Sequence, residues 1–275
     1  MKKGINAWSF PNGTGVPEMI AGAKDAGYEG IELVLDEIGG LDLQTPDSTL
    51  REWKALASNI GVGLPSLATG LYWQYSFTSS ENALRAKALE VARRQIHAAH
   101  ELGAAGILVV PGLVGGEGAN NVRYDTAFER ALEGIMSLEP EARSANVIIG
   151  VENVWNKFLL SPSELRDFVD AANSPFVRIY FDVGNVLLYG YPEHYIRVLG
   201  GRIALVHVKD FRTGVGTLDG FVNLLCGDVN FPAVIQAFEE IGYDGYLTAE
   251  IGPYKYYPEL TVYNTSAALG KIMGR

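Results

Sequence analysis

The chain has 275 residues, 48% of them hydrophobic and 20% charged, with a formal net charge of −10. This composition suits a soluble globular enzyme, and the dispersed acidic surplus argues against nucleic acid or anionic membrane surfaces as partners. Cys226 is the only cysteine, MKKGINAWSF lacks the apolar core of a signal peptide, and no run approaches the ~20 apolar residues of a membrane span, so a disulfide-free cytoplasmic protein is expected.

In chain order, eight short apolar runs read as strands: 4–8, 30–35, 63–68, 106–110, 147–152, 177–182, 203–207 and 245–251. Most are nearly continuous in apolar residues, as strands buried on both faces of a parallel sheet are. Helical spacing alternates with them. The clearest helix covers 81–102, with Leu84, Ala88, Val91, Ala92, Ile96 and Ala99 on one face. Another begins with Ser161 as N-cap, Pro162 at the first helical position and Glu164 three residues after the cap.

A glycine punctuation recurs where helices hand over to strands, at Gly27-Tyr28-Glu29-Gly30, Gly103-Ala104-Ala105-Gly106 and Gly242-Tyr243-Asp244-Gly245. The first glycine suits the left-handed position past a helix end. Eight strand–helix repeats in this length predict an α/β protein, a single (β/α)8 TIM barrel over residues 1–275 with no linker dividing it. A doubly wound open sheet is the alternative, although the spacing of Gly13 and Gly15 does not make a dinucleotide fingerprint. Long loops follow the presumed strand ends, where a barrel keeps its chemistry. They include an aromatic one at 69–79, a glycine-rich one at 111–122 with Gly112, Gly115, Gly116 and Gly118, one at 211–231, and a last one with Tyr254, Tyr256 and Tyr257.

Four of the apolar runs end in residues able to bind a divalent metal: Glu152, Asp182, His207 and Glu250, separated by 30, 25 and 43 residues. Each interval holds one helix and a return to a parallel strand. A charge terminating a buried strand is costly unless something there uses it. Any one of the four reads equally well as an ion-pair partner or helix cap, and Asp182 in DVGN also reads as a turn. In one barrel, however, the four ends converge on a single mouth. Three carboxylates and one imidazole suit a single divalent ion, Mn2+ first, with Mg2+, Co2+ or Zn2+ as alternatives. Such an ion stabilises the enediolate formed when a proton leaves the carbon beside a sugar ketone. Glu152 and Glu250, the longest carboxylates, are the candidate acid–base pair. Lys209 shares the inward side with His207 and is expected to meet substrate or bridge a neighbouring acid. His97 and His100 lie three apart on the long helix and are expected to be non-catalytic, as is His194.

At these residues the chain resembles the xylose-isomerase-like barrels, most of all their ketose 3-epimerases and L-ribulose-5-phosphate 3-epimerases. The likeness is carried by VIIGVENV, SPFVRIYFDVGNVLLYG, HVKDF, GDVNFPAVIQAFEEIGYDGY, YLTAEI and IELVLDE. It implies the four residues as metal ligands, Glu152 and Glu250 as the catalytic pair, and a substrate contact at Asn185. The chain departs from both branches. The loop GLYWQYSFTSS has no basic residue where the phosphorylated-sugar enzymes carry a basic pair. Asn185 stands where free-ketose enzymes have histidine, and 213–231 contains no basic residue, Arg212 lying just before it.

The expected function is metal-dependent isomerisation or epimerisation of a sugar or sugar phosphate, with ketose 3-epimerisation foremost. One alternative is a lyase or dehydratase acting on a keto-sugar, keto-inositol or 3-keto-glycoside, with Trp155 packing a second sugar or aryl group. Another is a non-catalytic carbohydrate-binding barrel. Tyr72, Trp73, Tyr75 and Phe77 follow the third strand and are expected to cover the metal at the mouth. Because aromatic walls offer a phosphate dianion little, an unphosphorylated substrate is favoured. A homo-oligomer is open.

Overall fold

The computed structural model describes residues 1–115 and 121–275. Its strands are β1 (Lys2–Asn6), β2 (Gly30–Val34), β3 (Ser66–Ala68), β4 (Gly106–Val109), β5 (Ile148–Glu152), β6 (Val177–Asp182), β7 (Ile203–Val208) and β8 (Tyr246–Ala249). They pair in parallel in sequence order, and β8 closes onto β1, which makes a (β/α)8 barrel and excludes the open sheet. The helices around it are α1 (Val16–Asp25), α2 (Asp47–Ile60), α3 (Asn82–Leu102), α4 (Tyr124–Ala145), α5 (Pro162–Ala171), α6 (Pro192–Leu199), α7 (Phe231–Glu240) and α8 (Leu260–Ile272). Among the described residues no helix is long and apolar enough to cross a membrane.

The local chemistry explains these boundaries. Gly27, Gly103 and Gly242 take φ of 79°, 73° and 71°, the left-handed conformation that their place after a helix requires. Ser161 caps α5 by accepting the Glu164 N–H at 3.2 Å, while the Glu164 carboxylate reaches one residue beyond the cap, to the Leu160 N–H at 3.1 Å. β1 ends earlier than its apolar run because the Asn6 side chain accepts the Trp8 N–H and starts a 3₁₀ turn over Ala7–Ser9.

The apolar core lies between strands and helices, where Ile5, Ile31, Ile107, Ile149, Ile179 and Phe181 are fully buried. Alternate residues point into the barrel, and a buried polar group at its centre comprises Asn6, Glu32, Ser66, Tyr180 and His207. One irregularity positions the site. The pairing of β6 with β7 shifts by one residue between Ile179 and Tyr180, so Ile179 faces Ile203 while Asp182 faces His207. Without that shift Asp182 would lie beside Val206, whose side chain belongs to the other face of the strand.

Candidate metal centre

Glu152 and Asp182 end β5 and β6, His207 is the penultimate residue of β7, and Glu250 follows the last residue of β8. The structure brings the four together. One ligand-capable atom from each lies within 4.8 Å of all the others. His207 Nδ1 is the hub, 2.7 Å from Glu250 Oε2, 3.5 Å from Glu152 Oε1 and 4.0 Å from Asp182 Oδ2. Asp182 does two jobs at once. Its Oδ1 caps the one-turn helix Val183–Val186 by accepting the Asn185 N–H at 2.7 Å, and its Oδ2 turns toward the cluster. Gly184 follows because a Cβ there would run into Lys209.

The donors fit a cation. Asp182 Oδ2 and His207 Nδ1 are buried with no hydrogen-bond partner, although charged neighbours stand close by. Buried polar atoms are rarely left so, and here both face the same point as two further carboxylates. Lys209 Nζ lies 3.1 Å from Asp182 Oδ2 and 3.0 Å from Glu250 Oε1. It takes the ion-pair alternative while still lining the cavity.

With protein groups alone, the four ligand-capable residues settle as follows. Burial pushes the Glu152 carboxyl up to about 7, against the pull of His207 and Lys209. Burial acts upward on Glu250 too, but the Lys209 and His207 charges outweigh it and hold that carboxyl at about 2. Asp182 is raised by burial. Burial opposes the His207 imidazolium, yet Glu32 and Glu250 hold it well above the usual range. A dication in the cluster favours ionised carboxylates and a neutral imidazole.

Above the cluster opens a cavity of about 590 Å³ lined by Trp73, Val154, Trp155, Asn185, Lys209, Leu218, Phe221, Glu250 and Gly252. A second lobe of about 450 Å³ shares Lys209, Phe221, Glu250 and Gly252 with it and adds Arg212, Asn223, Cys226 and Tyr254. Trp155 is held rigidly. Its ring packs against Phe211 and Phe221 at 5.2 and 5.1 Å, and its Nε1 donates to the Asn185 carbonyl at 2.9 Å. Asn185 gives its Nδ2 to the Asn153 carbonyl at 3.0 Å. Phe221 is delivered by a feature absent from the sequence reading, an antiparallel ribbon pairing Asp210–Phe211 with Phe221–Val222.

The aromatic loop needs correction. Tyr72 is fully buried, donates its hydroxyl to Gln95 Oε1 at 2.8 Å and packs on Phe77, which is itself buried against α4 at Gly134. Tyr75 donates to Glu37. Trp73 is the member that reaches the cavity. Of the glycine-rich loop, Gly116 and Gly118 lie outside the described residues.

Two residues escaped the sequence reading. Asn153 stitches β5 to β6 by accepting the Asp182 N–H at 2.9 Å and donating to its carbonyl at 2.8 Å. Glu32 on β2 bonds His207 Nε2 at 2.5 Å. Neither ends an apolar run with a metal-type side chain, the mark that sets the four ligands apart in the sequence. Away from the mouth, Asp47, His97 and Glu101 also cluster, but on the outer face of α2 and α3 beside Arg94 and Arg51. His100 bonds the Ala145 carbonyl.

A closed parallel barrel with this donor set at its carboxyl end defines the class. The chain belongs to the xylose isomerase-like TIM barrel family, matched over residues 20–271. The L-ribulose-5-phosphate 3-epimerase UlaE of Escherichia coli O157:H7 is 27% identical over 248 residues, spanning 88% of this chain and 84% of the relative. Solved structures share the fold. D-psicose 3-epimerase, determined in the presence of D-fructose, superposes with a TM-score of 0.82 over 100% of both chains at 17% identity. The 3-keto-D-glucoside 4-epimerase YcjR from E. coli does so with 0.79, again over 100% of both, at 16% identity.

Proposed function

We propose that the chain is a divalent-metal-dependent epimerase that inverts the carbon beside the ketone of an unphosphorylated ketose. One observation carries the reading: two long carboxylates, Glu152 and Glu250, flank Asp182 and His207 beneath a cavity walled by Trp155, Trp73 and Phe221. A cation bound by these four residues, Mn2+ foremost given one imidazole among oxygen donors, supplies charge against that developing on the sugar's oxygens as the proton leaves. Glu152 and Glu250 stand on different strands and exchange a proton with carbon each from its own side of the ring, Glu250 through the oxygen that Lys209 contacts. Lys209 and Asn185 orient the sugar's polar edge. Trp155, Trp73 and Phe221 receive its apolar face and exclude water, which strengthens every charge in the site.

The preference for a free sugar follows from the walls. Among the described residues, the cations lining the two lobes are Lys209, committed to Asp182 and Glu250, and Arg212. A phosphate dianion normally recruits Arg, Lys or a helix N-terminus, and here Lys209 is already engaged by two carboxylates. The test is kcat/KM on matched pairs of free and 5- or 6-phosphorylated ketoses. We expect the free member to be preferred, whereas preference for the phosphorylated member overturns the substrate class and leaves the metal chemistry standing.

Cavity size favours one second reading. Pockets of roughly 300–1,000 Å³ take drug-sized ligands, so the 590 Å³ lobe has room beyond a single ring. A lyase or dehydratase acting on a 3-keto-glycoside uses the same proton abstraction. Its product differs in formula from the substrate, and mass analysis separates the two.

A further inference from the structure

We infer that Glu32, outside the metal cluster and the cavity walls, is the positioning residue that sets the His207 ring for metal binding. The inference rests on the metal reading above and extends it to the residue behind the ligand.

Glu32 Oε1 accepts from Ser66 Oγ at 2.8 Å and Tyr180 OH at 2.7 Å. Its Oε2 lies 2.6 Å from Asn6 Nδ2 and 2.5 Å from His207 Nε2. The Asn6 amide is fixed because its Oδ1 accepts the Trp8 N–H at 2.7 Å, so Nδ2 must point to Glu32 and donate. An ionised carboxylate offers about four acceptor sites and no proton, and four groups fill them here. His207 Nε2 therefore carries hydrogen toward Glu32.

In the neutral ring that leaves Nδ1 with its lone pair, aimed at Glu152, Asp182 and Glu250, where it has no hydrogen-bond partner. Tyr180 both bonds Glu32 and packs on the imidazole, with ring centroids 4.5 Å apart. Glu32, Tyr180 and His207 are each fully buried, so water has no access to substitute for the carboxylate. An outer carboxylate on a ligating histidine fixes its tautomer and raises its basicity.

The experiment titrates Mn2+ and, separately, Zn2+ into metal-stripped wild type, Glu32→Gln and Tyr180→Phe by calorimetry. ¹⁵N NMR of the His207 ring in the diamagnetic zinc-loaded protein, and thermal unfolding of each variant, accompany the titrations. We expect Glu32→Gln to bind roughly 10–100-fold more weakly, with the Nε2-protonated tautomer of wild type lost. Tyr180→Phe, which keeps the carboxylate but removes one donor, is expected to weaken binding less. Wild-type affinity in folded Glu32→Gln, or an unchanged His207 tautomer, overturns the inference without touching the metal reading. If Glu32→Gln does not fold, the zinc-loaded wild type decides the matter, and a His207 ring that carries its hydrogen on Nδ1 and binds through Nε2 overturns the inference. Wild type that takes up neither ion removes the metal reading, and this inference with it.

Discussion

Replacing either Glu152 or Glu250 by glutamine is expected to lower turnover by at least roughly 10²-fold, the range for a lost general acid or base, while the metal stays bound. Glutamine keeps the length and one carbonyl oxygen for coordination and removes the group that takes or gives the proton. The two residues use their oxygens asymmetrically. Glu250 divides its pair between His207 Nδ1 and Lys209 Nζ, whereas Glu152 offers one oxygen to His207 at 3.5 Å. With protein groups alone their environments also differ, burial raising Glu152 while Lys209 and His207 hold Glu250 low, and a bound dication would draw both toward the ionised form. Steady-state kinetics in both directions of the epimerisation, with metal content measured on the same samples, check the expectation. A variant that keeps near-normal turnover with its metal identifies that residue as a ligand only.

The second large effect is expected at His207. His207→Ala leaves three oxygen ligands, so metal affinity should fall by more than the roughly 10–100-fold typical of losing an outer-shell partner. Glu32 would also lose one of its four donors inside a core that water does not reach. A buried group left short of a bond costs about 1–3 kcal/mol, so lower thermal stability should accompany the loss. Metal analysis of purified wild type and variant is the check, and equal, tight occupancy would contradict the ligand assignment.

The ligands were legible in the sequence because a charge that ends an apolar run breaks the local pattern, and four such breaks at βα spacing are hard to assign otherwise. Helix ends were legible wherever a single residue type does the work, as at Gly27, Gly103, Gly242 and Ser161. Lys209 followed from strand alternation, though alternation alone did not choose between substrate and ion pair.

Glu32 was hidden for the opposite reason. It sits inside GIELVL, where an acid reads as an ordinary polar alternation, and its partners come from β1, β3, β6 and β7. The register shift between β6 and β7 leaves no mark in composition, yet it places Asp182 beside His207. The aromatic loop failed on local geometry. Leu71–Trp73 form a 3₁₀ turn, in which successive side chains point about 120° apart. Trp73 therefore faces the mouth while Tyr72 enters the core. Position after a strand places a loop, but not the direction of each side chain on it.

The central claim is that metal and paired carboxylates exchange the proton beside a sugar ketone. Incubating the Mn2+-loaded protein with a free ketose in D2O, followed by NMR and mass spectrometry, tests it most directly. The account predicts the carbon-3 epimer carrying one deuterium at that carbon, with no other change of formula and no reaction after chelation. A product that has lost water, or exchange that persists in the metal-stripped protein, would contradict it.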